Sequence, residues 1–201
     1  MARESARHPW SREVCMPVES FKPKPSAGWA WWIALAAIMV ASAAPVLFLP
    51  ASEEVPVWAD LIFAGTVGLG LWFLAIAAYF PLMRYDLAET ELVISYGSLL
   101  SYRIPYSALV GVERKNLAWG AQSSMRLPGL ALWKVRYARE GVIRMCSTRS
   151  SRGVLVLRTT EGTPYGISPA EEDRFIHELG MRTQRAGVEL ALDLSSVPPS
   201  L

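Results

Sequence analysis

Two patterns of apolar and polar positions divide the chain. From Gly28 to Pro50 the sequence GWAWWIALAAIMVASAAPVLFLP carries no charge, and from Trp58 to Pro81, WADLIFAGTVGLGLWFLAIAAYFP, Asp60 is the only ionised group. Between them, Ala51 to Val57 holds Glu53, Glu54 and Pro56. At 1.5 Å per residue each run gives a helix of roughly 30 Å, enough to cross the hydrocarbon core of a bilayer. Helices apolar on every side need either lipid or a large core around them, and the rest of the chain is too small to supply that core. The pattern therefore predicts a two-helix transmembrane hairpin over 28–81, with spans 28–50 and 58–81 and an outer loop 51–57.

After Pro81 the period shortens. Arg84–Leu87, Glu91–Tyr96, Leu99–Ile104 and Ala108–Glu113 read as short strands, then a polar loop runs from Lys115 to Gly129. Ala131–Tyr137, Val142–Thr148, Val154–Thr159 and Thr163–Ile167 read as four more. Tyr96-Gly97-Ser98, Arg139-Glu140-Gly141 and Glu161-Gly162 supply turns. Many short strands at this spacing predict an antiparallel barrel or sandwich. Ser168-Pro169-Ala170-Glu171 then has the form of an N-cap serine, a proline at the first helical position and a glutamate three residues after the cap. Glu171, Glu172 and Asp173 suit the positive end of the helix dipole, Phe175, Ile176 and Leu179 form an apolar stripe, and Gly180 reads as the stop. A helix of about eleven residues with one apolar face would cover the open end of a barrel. Residues 184–201 read as a tail, in which Val188–Leu194 has the makings of an edge strand.

Charge sets the expected orientation. Residues 1–27 carry Arg3, Arg7, Arg12, Lys22 and Lys24 against three glutamates, and Pro9, Pro17, Pro23 and Pro25 predict a mostly irregular cytosolic tail rather than a signal peptide. Bases flank both spans and the short loop is acidic, so both termini are expected in the cytoplasm and the protein in the cell (inner) membrane. Trp29, Trp31 and Trp32, with Tyr79, Phe80 and Tyr85, mark the inner interface, and Trp58 the outer. Neither run has a mid-membrane ionisable residue, so the hairpin reads as an anchor and not a transport path. Gly65, Gly68 and Gly70 fall within a span and make no nucleotide loop. The spans account for a hydrophobic content of 52% in 201 residues.

Candidate chemistry is sparse. Cys15 and Cys146 lack a C-x-x-C pattern or a neighbouring histidine, which argues against a zinc site or a disulfide framework. The only histidines are His8 and His177, and neither has a triad signature around it. No phosphate loop is present, so no catalysis, cofactor or metal is expected. Charge does concentrate: from Arg114 to Arg158 there are ten bases and one acid, and from Glu161 to Asp193 seven acids and three bases. Alternation groups Trp133, Val135 and Tyr137 on one strand face and sends Lys134 and Arg136 to the other, with Arg144 beside them and Arg149 and Arg152 in the next turn. These five are the candidate contacts to anionic lipid headgroups, weighed against an ordinary solvated strand face. Trp119 and Arg126, in or beside the polar loop, are candidate partner contacts. Bases with Trp119 or Trp133 as stacking platforms also suit nucleic acid, but Trp133 is more simply a core residue and no nucleic-acid motif accompanies it.

Four pieces together resemble the bacterial pleckstrin-homology-like domains, often found beside membrane spans: YDLAETELVISYGSLLSYRIPYSALVGVE (85–113), RLPG (126–129), RGVLVLRTTEGTPYGISP (152–169) and the helix with Phe175. The resemblance covers about half of the chain and implies a seven- or eight-stranded β-barrel capped by a C-terminal helix. It implies binding or scaffolding and no reaction. The expectation is an α+β membrane protein: a tail (1–27), a transmembrane helical hairpin (28–81), a PH-like antiparallel β-barrel (82–183) and a C-terminal tail (184–201). It would be a membrane-anchored, non-catalytic module binding a protein or peptide partner at the inner face. The alternative is anionic headgroup sensing by the basic face. Protection against a membrane-active peptide is also compatible with the resemblance.

Overall fold

The computed structural model describes residues 17–44, 57–118, 126–127 and 129–194. The two apolar runs form α1 (Gly28–Ala43) and α2 (Val57–Tyr79). They pack antiparallel, with the Trp32 and Phe73 rings 5.4 Å apart and Gly70 against Ala36, Met39 and Val40. A side-chain carbon at Gly70 would meet these neighbours at 3.5–3.6 Å, ordinary contact, so the helices are close-packed here without requiring glycine. With the 3-10 turn Phe80–Leu82, α2 ends an apolar stretch, Trp58–Leu82, of 25 residues. Among the described residues this is the one helix long and apolar enough to cross a membrane; α1 is shorter. Residues 45–50 of the expected first span and 51–56 of the expected loop lie outside the described residues.

The strands form two sheets. In the first, β2 (Met83–Leu87), β3 (Glu91–Tyr96) and β4 (Leu100–Pro105) make an antiparallel meander, and an upstream strand, β1 (Glu19–Phe21), adds to the free side of β2. The second contains β5 (Leu109–Lys115), β6 (Arg126–Leu127), β7 (Leu130–Tyr137), β8 (Gly141–Ser147), β9 (Val154–Thr159), β10 (Tyr165–Ile167) and β11 (Ala191–Asp193), in the order β11-β5-β9-β10-β8-β7-β6. β10 lies parallel to β8 and β11 parallel to β5. The expected closed antiparallel barrel is therefore corrected. Closure needs a continuous ladder, and no ladder among the described residues joins the first sheet to the second.

The main core lies between the sheets. Tyr85, Leu92, Ile94 and Ile104 meet Leu109, Leu132, Leu155, Leu157 and Ile167, with Phe175 and Leu179 of α3 (Glu172–Arg185) closing the end. Trp32 of α1 and Ile76 of α2 belong to the same core, and the Tyr96 phenol donates to the Ile76 carbonyl (2.5 Å). The base of the hairpin is thus part of the domain's interior. A second cluster, including Val135, Tyr137, Ile143 and Val156, covers the other face of the larger sheet.

Two local expectations give way. Ser168 does not cap α3: its hydroxyl is buried, accepting the Thr148 N–H (3.0 Å) and lying 2.9 Å from the Thr148 hydroxyl. The helix starts at Glu172 with Glu171 at the cap, passes through Gly180, and stops at Gly187, whose φ of +76° suits glycine. The second correction concerns the tail. Phe21 is buried edge-on against Phe175 (5.3 Å), Glu19 pairs with Arg174 (2.6 Å), and Lys24 pairs with Glu172 (2.6 Å). Backbone bonds tie Lys22 to Ala170 and Lys24 to Ser168. Prolines spoil helical periodicity but are tolerated on an edge strand, which is why this strap carries no pattern in the sequence. The strap ends at Ser26, whose hydroxyl donates to the Gly129 carbonyl (2.7 Å), and a Cβ at Gly28 would collide with that same carbonyl.

Candidate functional site

β7 and β8 place Lys134 directly opposite Arg144, and Arg136 opposite Val142. Lys134 and Arg136 are exposed, while Val135 and Tyr137 point into the second cluster, as alternation requires. Arg144 is half-buried. Its guanidinium donates to the Tyr165 hydroxyl (2.6 Å) and lies 5.3 Å from that ring's centre. Tyr165 packs edge-on against Tyr102 (5.4 Å), whose phenol burial pushes up to about 12 despite the nearby Arg144. Lys134, Arg136 and Arg144 thus share one surface. Arg149 and Arg152 follow the far end of β8, where the Ser147 hydroxyl takes the Arg149 N–H (3.0 Å) and Arg152 is exposed. Arg126 lies on β6 with its side chain outside the description, and Trp119 is outside the described residues.

Trp133 departs from the alternating pattern. Its φ of +61° is a left-handed conformation that costs a non-glycine residue about 1–2 kcal/mol. The turn of the backbone takes its ring away from Val135 and stacks it on Trp72 of α2, with centroids 6.4 Å apart and planes at 20°. β7 therefore climbs beside the hairpin, from Gly129 against Gly28 to Trp133 against Trp72. No period in the sequence signals this flip.

A second concavity lies on the opposite flank of the domain. Ile176, Gly180 and Met181 of α3 and Val188, Leu190 and Leu192 before and within β11 enclose about 910 Å³, with Asp173, His177 and Glu189 at the margin. Sequence reading missed it, although Val188, Leu190, Leu192 and Leu194 alternate after the helix. Cys146 is buried, and burial holds its thiol well above the usual range, in the protonated form.

The succession from β2 through α3 coincides with residues 83–183, which a family model for the bacterial PH domain matches, just over half of the chain. This chain belongs to the bacterial PH domain family. PH-type domains are generally non-catalytic binding modules and commonly bind lipids or proteins. No curated protein and no solved structure matches the chain. The strap, the two apolar helices and β11 fall outside the matched part of this bacterial PH protein.

Proposed function

We propose that this bacterial PH protein is a membrane-anchored, non-catalytic interaction module whose β7–β8 hairpin rests on anionic headgroups of the cytoplasmic leaflet. The stack of Trp133 on Trp72 carries the reading. Trp72 is seven residues before Tyr79, about 10 Å up the helix, within the apolar stretch itself. A strand held there brings Lys134 and Arg136 to headgroup level, where each base is worth about 1 kcal/mol within a Debye length of roughly 8 Å. Long side chains reach the phosphates while their stems lie along apolar surface. In this arrangement both helices cross the inner membrane, the acidic loop 51–57 faces outward and both termini are cytoplasmic. Exposed Trp29 and Trp31 at the start of α1 suit the inner interface. Because the anchor already fixes the domain at the bilayer, lipid contact orients it and does not recruit it.

Hydrogen exchange of the full chain in nanodiscs tests the contact. Residues 133–144 should exchange more slowly in discs containing phosphatidylglycerol than in phosphatidylcholine alone, and K134E/R136E should abolish the difference. Equal exchange in both discs would reject the headgroup contact and leave the anchor standing.

A second reading, a protein or peptide partner, is favoured by the apolar groove between α3 and β11. A photo-crosslinker at Met181 in native membranes should give a reproducible adduct with a second polypeptide, and lipid adducts only would reject it.

A further inference from the structure

We propose that the groove between α3 and β11 is the seat of the chain's own N-terminal segment, residues 1–16, bound in cis. The inference stands on the groove and the strap, and does not require the lipid contact or an external partner. Residues 1–16 lie outside the described residues, but the point from which they extend is fixed on α3. The buried Arg182 donates to the Pro17 carbonyl (2.9 Å) and to the Ala88 carbonyl (2.8 Å), and Arg174 holds Glu19 two residues later.

The groove lies on the other side of the same helix, along Ile176, Gly180 and Gln184. A helix is about 10–12 Å across, so three or four extended residues carry the chain over it. About a dozen residues are then left to occupy the groove. Their chemistry matches it. That dozen, MARESARHPWSR, offers Met1 and Trp10 for an apolar floor, and three arginines, Arg3, Arg7 and Arg12, against one acid, Glu4, for a margin that contains Asp173 and Glu189 and, among its described lining residues, no lysine or arginine. A volume of about 910 Å³ admits an indole and its neighbours. The other nearby stretch, Ser195 to Leu201, carries no charged side chain and offers nothing to the acidic margin. Tethering at Pro17 raises the local concentration of the segment to the millimolar range, so a weak contact suffices to fill the groove.

The test is a distance measurement on the full chain in nanodiscs, with Cys15→Ser and spin labels at Ser11→Cys and Ala186→Cys. Buried Cys146 stays unlabelled in the native fold. A narrow, short distance distribution is expected, lost on Trp10→Ala and on the surface pair Asp173→Lys/Glu189→Lys. A broad distribution in the parent, or a narrow one indifferent to these changes, overturns the proposal. Mixing singly labelled copies separates cis from trans: a short distance between copies assigns the groove to a second molecule and equally overturns it.

Discussion

Two strands of three residues each, β1 and β11, sit at the outer edges of the two sheets, and they are held in opposite ways. β1 buries Phe21 and is stitched to its surroundings by side chains: Glu19 to Arg174, Lys24 to Glu172, and the Thr148 hydroxyl to the Lys24 carbonyl (2.8 Å). β11 has all three residues exposed and pairs in parallel register with Gly111, Val112 and Glu113, while Leu190 and Leu194 on either side of it pack against the main core. A backbone hydrogen bond nets only about 0.5–1.5 kcal/mol, whereas a buried aromatic ring contributes several times that. Strand length therefore says little about how firmly an edge is held. The firm edge leads straight into α1, and the light edge walls a groove.

The largest expected effect lies on the firm side. Phe21→Ala should cost about 3–5 kcal/mol in denaturant titration of the full chain, because the ring fills a slot against Phe175 and Tyr85. A loss below about 1 kcal/mol would reduce β1 to the standing of β11 and dissolve the contrast. Gly28→Ala should cost about 1–3 kcal/mol by the same measurement, since the added carbon meets the backbone carbonyl of Gly129 and not a flexible side chain. Glu172→Gln weakens two partly exposed pairs at once, with Lys24 (2.6 Å) and Arg114 (2.5 Å), and should cost about 1–2 kcal/mol, less in high salt. On the light side, Leu192→Ala should change stability by less than about 0.5 kcal/mol.

The smallest effect is a pH dependence beside β11. Partial burial works to raise the carboxyl of Glu113, but hydrogen bonds and charge from Arg158 and Lys115 outweigh it and hold the group below its ordinary value. A depressed folded-state pKa gives stability that is present above the unfolded value, about 4.3, and lost as pH falls through the folded one. Glu113→Gln should lose that small contribution at neutral pH and converge with the parent as pH falls, which flattens the acid limb; an identical limb in the variant would remove Glu113 from the account.

Elements with local signals were legible in the sequence. β3 and β9 fall on Glu91–Tyr96 and Val154–Thr159 as expected, since alternation and flanking turns are properties of the segment itself. The edge strand expected within Val188–Leu194 is β11. The rest depends on contacts distant in sequence. β1 pairs with residues more than sixty positions away and contains one apolar side chain, so no period betrays it. Ser168 has every local mark of a cap, yet Thr148, twenty residues earlier, claims its hydroxyl. Of the basic face, Lys134 and Arg136 followed from alternation, whereas the partner of Trp133 lies in a helix that alternation cannot reach.

The strap can close only late in synthesis. β1 leaves the ribosome first, then both apolar helices, and only then β2, its neighbour in the sheet. The residues that clasp it are among the last: Glu172 is 148 positions from Lys24, and Arg182 is 165 from Pro17. Synthesis therefore completes both apolar helices while the PH fold is still incomplete, and the last helix locks the first strand only after everything between them in the chain has been made. Docking the base of the hairpin, through Trp32 and Ile76, becomes a step of domain assembly rather than an event beside it.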